Sequence, residues 1–81
     1  MEFGWDEAKN AANRLKHGFD FVFAIRIFSG PVRRRISLRG GETRVVATGQ
    51  VERLYVTVVY TRRNGRYRII SARPARRDER L

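Results

Sequence analysis

"RLYVTVVYTRRNGRYRIISAR", residues 53–73, is the stretch on which the fold turns. Apolar and polar residues alternate on both sides of Asn64-Gly65. An Asn-Gly pair between two such runs is the strongest short-range hairpin signal, because a type I′ turn needs φ > 0 at both central residues. A two-residue loop fixes the pairing: Arg63 opposite Arg66, Arg62 opposite Tyr67, Thr61 opposite Arg68, Tyr60 opposite Ile69, Val59 opposite Ile70 and Val58 opposite Ser71. Alternate residues take opposite faces of a strand, and cross-strand partners share a face. Leu54, Val56, Val58, Tyr60 and Ile69 therefore form an apolar side, with Tyr67 as a core-edge aromatic. Tyr55, Thr57, Val59, Thr61, Arg68, Ile70 and Ala72 form a mixed one. This asymmetry suits an antiparallel sheet covered by helices on one face only.

Working outward, "ETRVVATGQ" (42–50) and "VRRRISL" (32–38) continue the period of two across Gly40-Gly41. About four strands are expected. Val45 and Ala47 belong on the core side, and Arg44, Val46 and Thr48 on the open one. Arg33, Arg34 and Arg35 form a charge run on an edge strand, where basic side chains discourage edge-to-edge pairing.

Upstream, Ala8, Ala11, Ala12 and Leu15 fall at i, i+3, i+4 and i+7 and predict one apolar stripe on a helix that Asp6 caps and Gly18 stops. "DFVFAIRIFSGP" (20–31) reads as a second, short helix of about two turns, capped by Asp20 and ended by Gly30-Pro31. Its extra apolar positions, Val22, Phe23 and Ile27, are left exposed unless a partner covers them. Downstream, Pro74 ends the last strand and suits the first position of a short C-terminal helix. The tail "ARRDERL" offers little apolar face, and its order of charge opposes the helix dipole, so it is expected to fray unless something docks on it. The expectation is an α+β fold in a single domain, residues 1–81. Two N-terminal helices pack on one face of the sheet, with a short helix at the C-terminus.

The 81 residues allow a shallow core, burying only about 60% of the surface the unfolded chain exposes. There are no cysteines and one histidine, so neither a disulfide framework nor a thiolate or poly-histidine metal site can form, and a reducing, cytoplasmic setting fits. No apolar run approaches a membrane span, and the N-terminus lacks the basic-then-apolar order of a signal peptide. The formal charge is +10, from 18 Lys+Arg against 8 Asp+Glu, and Lys9 and Lys16 are the only lysines. Arginine's planar fork of donors matches phosphate or carboxylate, which makes an anion the expected partner: nucleic acid or an acidic protein.

Neither a metal-ligand set nor a phosphate-cradling glycine loop is present, so no cofactor is implied. If the chain is an enzyme, arginines and one or two proton carriers do the work. RNA permits this, because its 2′-hydroxyl can attack the adjacent phosphate, and the protein need only move protons and hold the extra negative charge. Arg44, Arg68 and Arg73 are the candidates for the phosphate, and His17, Glu42 or Tyr67 for the protons. Lys16, Arg62, Arg66 and Arg76 are candidates for further grips on the RNA backbone. Each proton carrier has a plainer reading: His17 as a helix C-terminal residue bonding nearby carbonyls, Glu42 as the ion-pair partner of a neighbouring arginine, and Tyr67 as packing. Arg73 can equally bond the end of a strand.

"FGWDEAKNAANRLKHGFDF", the β-rich middle with "GETRVVATG" and the ending "RIISARPARRDER" together resemble the BrnT family of bacterial type II toxins over essentially the whole chain. Trp5-Asp6, Lys9, Asn13, Lys16-His17-Gly18, Phe21, Ala24, Arg44, Arg68 and Ile70-Ser71-Ala72-Arg73 carry the likeness by order and spacing. The resemblance implies a RelE-like fold and a ribonuclease that halts translation. It also implies a BrnA-type antitoxin with a ribbon-helix-helix domain, which forms a hetero-oligomer with the toxin, neutralises it and brings it to operator DNA. It supports Arg44, Arg68 and Arg73 as phosphate ligands, and His17 and Glu42 more weakly. Val22 and Phe23 replace acidic residues usual in the family's second helix, which implies a more apolar partner surface. The competing reading is a basic RNA- or DNA-binding module that grips phosphates without cutting them.

Overall fold

A computed structural model describes residues 1–80. The elements run β1 (Phe3–Gly4), α1 (Glu7–His17), α2 (Phe21–Ala24), a 3₁₀ segment (Ile25–Ser29), β2 (Arg33–Arg39), β3 (Glu42–Val51), β4 (Leu54–Arg63), β5 (Arg66–Pro74) and a closing 3₁₀ turn (Arg77–Arg80). The sheet has five strands in the order β1-β5-β4-β3-β2. The α+β class holds, with two corrections. The short β1 pairs parallel to β5, which makes the sheet mixed, and the closing element is a single 3₁₀ turn in place of a helix.

The β4–β5 hairpin forms as the Asn64-Gly65 signal requires, with φ of 54° and 78° at the two residues. The pairing follows the expected register from Arg63↔Arg66 to Tyr60↔Ile69 and then slips: Val59 faces Ser71 and Val58 faces Ala72. Ile70 is the extra residue of a β-bulge, which reverses the parity of everything after it. Ala72, expected on the open side, is instead buried in the core, and Arg73 pairs with Thr57 on the open face. No periodicity in "RIISAR" reveals this, because two adjacent isoleucines satisfy either parity.

Helix α1 starts and stops where expected. The Asp6 carboxylate accepts from the backbone N–H of Ala8 and Lys9, and Gly18 at φ 82° donates its N–H to the Arg14 carbonyl. Its orientation is a correction. Ala8, Ala11, Ala12 and Leu15 all face solvent, Leu15 at 89% exposure, while Asn13 is the buried residue of the helix. α1 packs beside β5, where the backbone still has polar groups to satisfy, so amides serve the contact better than methyls. Asn13 Nδ2 donates to the Phe19 carbonyl while its Oδ1 accepts from the Ala72 N–H, and Asn10 Oδ1 accepts from the Phe21 N–H.

The second helix runs about as far as expected, but after one α-helical turn it tightens to 3₁₀. Phe21, Ala24 and Ile27 are fully buried at a spacing of three, which a 3₁₀ segment keeps in line against the sheet. Ile27 therefore belongs to the core, and Val22 is the position left exposed. The segment approaches β3 closely enough that a Cβ on Gly49 would lie 2.8 Å from the Ile27 Cβ and 3.0 Å from the Val32 Cγ1. Gly49→Ala is accordingly expected to destabilise the fold by about 1–3 kcal/mol through overpacking, read as a lower urea midpoint at unchanged slope.

Beneath the helices, Phe21, Ala24, Ile27, Ala47, Val51, Val56, Val58, Tyr60, Ile69 and Ala72 make the core. At its β1 end, Tyr60 stacks on Tyr67 at 4.5 Å and 11°, and Phe28 meets both edge-on. Tyr67 is thus a packing residue, as its parity implied.

Candidate functional site

The sheet face away from the helices is where the arginines collect. Pairing of Arg39 with Glu42, and of Arg63 with Arg66, places those four side chains on this face at the hairpin ends. The next row on the same face holds Ser37 and Arg44, paired across β2 and β3, and Thr61 and Arg68, paired across β4 and β5. Thr61 is turned towards β3, its hydroxyl donating to the Thr43 carbonyl at 3.1 Å.

Glu42 is the carboxylate at the centre of this patch. Arg44 Nε lies 3.0 Å from its Oε1 and Arg63 Nη2 lies 3.7 Å from its Oε2. Glu42 and Arg44 are about one-third exposed, so a ligand can reach them. Arg68 is exposed and makes no ion pair among the described residues, which leaves its whole fork available. One carboxylate among several guanidinium groups can take a proton while its neighbours hold a phosphate. The sequence reading missed Arg63, although the hairpin register had already put it on the face of Arg68.

Arg73 is on the same face but elsewhere. It pairs with Thr57, whereas Arg68 pairs with Thr61, and four residues of strand separate the two rows by about 14 Å. Its guanidinium is committed to Glu79, with Nη1 2.6 Å from Oε1 and Nη2 2.8 Å from Oε2. The Glu79 side chain is 8% exposed and also accepts from the Thr57 hydroxyl at 3.1 Å and the Arg76 N–H at 2.8 Å, with Arg35 Nη2 at 3.4 Å. The C-terminal tail, expected to fray, is thus held on the sheet by one carboxylate. Arg73 above all keeps that carboxyl far below the usual range, with the Arg76 N–H and Thr57 adding to the effect against the cost of burial.

A depressed folded-state pKa stabilises fully above the unfolded value and is lost as pH falls through the folded one. The melting temperature of wild type should therefore exceed that of Glu79→Gln at neutral pH. The gap should narrow steadily below about pH 4, where the unfolded chain begins to take up the proton.

His17 is not brought to the Glu42 patch either. It ends α1, half-buried and stacked on Phe19 at 6.2 Å, and lines a groove between α1 and β5 with Lys9, Lys16, Ser71 and Arg73. Lys16 shares that groove. Arg62 projects to the helix-covered side and lies over the Tyr67 ring at 5.3 Å, Arg66 pairs with Glu2 at 3.3 Å, and Arg76 is exposed beside the Glu79 turn. The candidates thus fall into a Glu42–Arg44–Arg68 group on the open face and a His17–Lys16 group at the α1–β5 groove, with Arg73 apart from both, its guanidinium held by Glu79. A single phosphodiester held by Arg44, Arg68 and Arg73 together does not match this geometry. Among the described residues no group of three or more acidic, imidazole or thiol side chains comes together as a metal holder, and no helix is long and apolar enough to cross a membrane.

None of the curated proteins searched matches the chain. A family model described as "Ribonuclease toxin, BrnT, of type II toxin-antitoxin system" matches residues 5–79, a span that includes both groups of candidate residues.

Proposed function

The chain belongs to the BrnT family of ribonuclease toxins of type II toxin-antitoxin systems, and we propose that it cuts RNA without a metal ion at the Glu42 patch. RNA lies across the open face of the sheet. Arg44, Arg63 and Arg68 hold the phosphate that is attacked, and Glu42 takes the proton of the attacking 2′-hydroxyl. As that oxygen bonds to phosphorus the extra negative charge falls between guanidinium groups already in place, and the 5′-oxygen leaves with a proton from water. The observation that carries this reading is Glu42 itself, a reachable carboxylate with arginines on both of its oxygens and, in the next row, Arg68, unpaired among the described residues. His17 and Lys16, in the α1–β5 groove, extend the grip on RNA.

Membership of a type II family brings an antitoxin partner. We propose one of the BrnA type, with a ribbon-helix-helix domain, covering the basic face and the second helix, where Val22 stands exposed. Operator DNA is then met only through that complex.

The test is cleavage of RNA by purified protein in EDTA. Products ending in 2′,3′-cyclic phosphate, with a 2′-deoxy substrate left whole, are the expected result. Intact RNA would leave only a phosphate-gripping module, and cutting that stops in EDTA would remove the metal-free mechanism.

A further inference from the structure

Resting on the reading that this protein binds RNA, we propose that Glu79 is a built-in stand-in for an RNA phosphate. Its carboxylate fills an anion subsite made by Arg73, Arg35 and Thr57 and leaves when a phosphodiester arrives. The donors come from separate strands: Arg73 from β5, Thr57 from β4 and Arg35 from β2. All converge on two oxygens, with Arg73 bonding one through each arm of its fork, at 2.6 and 2.8 Å. That fork accepts two carboxylate oxygens or two phosphate oxygens alike. The Thr57 hydroxyl is fully buried and set in place by the Thr48 hydroxyl at 2.8 Å, so the site is rigid on the sheet side.

On the tail side it is held by one side chain. The rest of the turn Arg77–Arg80 is exposed, and the Glu79 carboxylate is what anchors it to the sheet. With Glu79 withdrawn, Arg73 and Arg35 would face, together with Arg33 and Thr48, the groove that already runs beside Glu79. In a protein of formal charge +10 such a subsite has a strong preference for polyanions. A strand of RNA running from the Glu42 patch along β4 and β5 reaches it, and each phosphate bound there must first displace the tail. The tail therefore lowers affinity for RNA while it is docked.

A 2′-O-methyl oligoribonucleotide, which has no free 2′-hydroxyl to attack with, separates binding from cleavage. Its affinity is measured against salt for wild type, Glu79→Ala, Glu79→Gln and the Glu79→Ala/Arg73→Ala pair, each checked for folding by circular dichroism. Opening one phosphate subsite should steepen the slope of log affinity against log salt by about 0.7, the value for one phosphate contact on a single strand. The added Arg73→Ala should take back most of that. Glu79→Gln keeps the size and loses the charge, so it must steepen the slope in the same direction even if Glu79→Ala does not fold. Folded variants with the wild-type slope would overturn the inference alone. Absence of binding by every protein at the lowest salt would overturn both it and the RNA reading.

Discussion

Glu42→Gln is expected to slow RNA cleavage by about 10²–10⁴-fold, the usual worth of a positioned base. The amide keeps the shape of the carboxylate and its hydrogen-bonding oxygen but cannot accept the 2′-hydroxyl proton. Stability should change by less than about 1 kcal/mol, because the ion pairs to Arg44 and Arg63 are substantially exposed and such pairs contribute little. Folding and catalysis are therefore separable at this position. Arg68→Ala, which removes the donor proposed to meet the developing charge, should cost about 10²–10³-fold in kcat. Single-turnover cleavage with saturating protein reads both effects directly. A Glu42→Gln protein that cuts within a few-fold of wild type would move the base elsewhere, and the α1–β5 groove with His17 would be the place to look.

Tyr60→Ala should remove about 3–5 kcal/mol of folding stability, the range for deleting a buried aromatic ring. The ring is 2% exposed, stacks on Tyr67, meets Phe28 edge-on and accepts from Arg34 Nε at its hydroxyl, 3.0 Å away. For 81 residues the whole stability is roughly 4–12 kcal/mol, at about 0.05–0.15 per residue, so this one change can consume most of it. Tyr60→Phe keeps the stack and should cost only about 1 kcal/mol, for the bond to Arg34. Urea denaturation of the pair separates ring from hydroxyl. Equal losses in the two variants would mean that the hydroxyl, and not the aromatic cluster, fixes that corner of the core.

Where structure and sequence pattern part, the cause is a contact that only the fold creates. The stripe Ala8-Ala11-Ala12-Leu15 has the period of a core-facing helix face, yet it points to solvent. The strand beside α1 presents backbone polar groups, and Asn10 and Asn13 meet polar needs there and along the chain from Phe19 to Phe21. Nothing within residues 6–18 records that demand. The second helix shows the same effect, since Ile27 was read as surplus apolar area, and it is the missing side chain of Gly49 on β3 that gives it room.

The candidate site divides in the same way. Alternation and the hairpin register place Arg44 and Arg68 on the open face, and they lie there with Glu42, whose face the sequence reading does not assign. Arg73 joins them by residue type and family resemblance, and not by register. Its partner, Glu79, sits in a tail whose charge order argued against any local structure, and the latch forms only because the bulge at Ile70 turns Arg73 to the open face, where Arg35 and Thr57 meet it.

By itself the sequence determined the hairpin, the caps of the first helix, the two-faced sheet and the basic character of its open side. Each of these follows from forces acting over a few residues: turn φ angles, capping hydrogen bonds, the alternation of side chains and the count of charges. Tertiary structure decided which face of α1 turns inward, where the last strand changes parity, and which arginines stay free and which are already matched by a carboxylate. Those outcomes depend on satisfying buried polar groups between elements that meet only in the fold, and on a strand bulge that turns Arg73 to the face where Glu79, Arg35 and Thr57 meet it, and no local pattern encodes either.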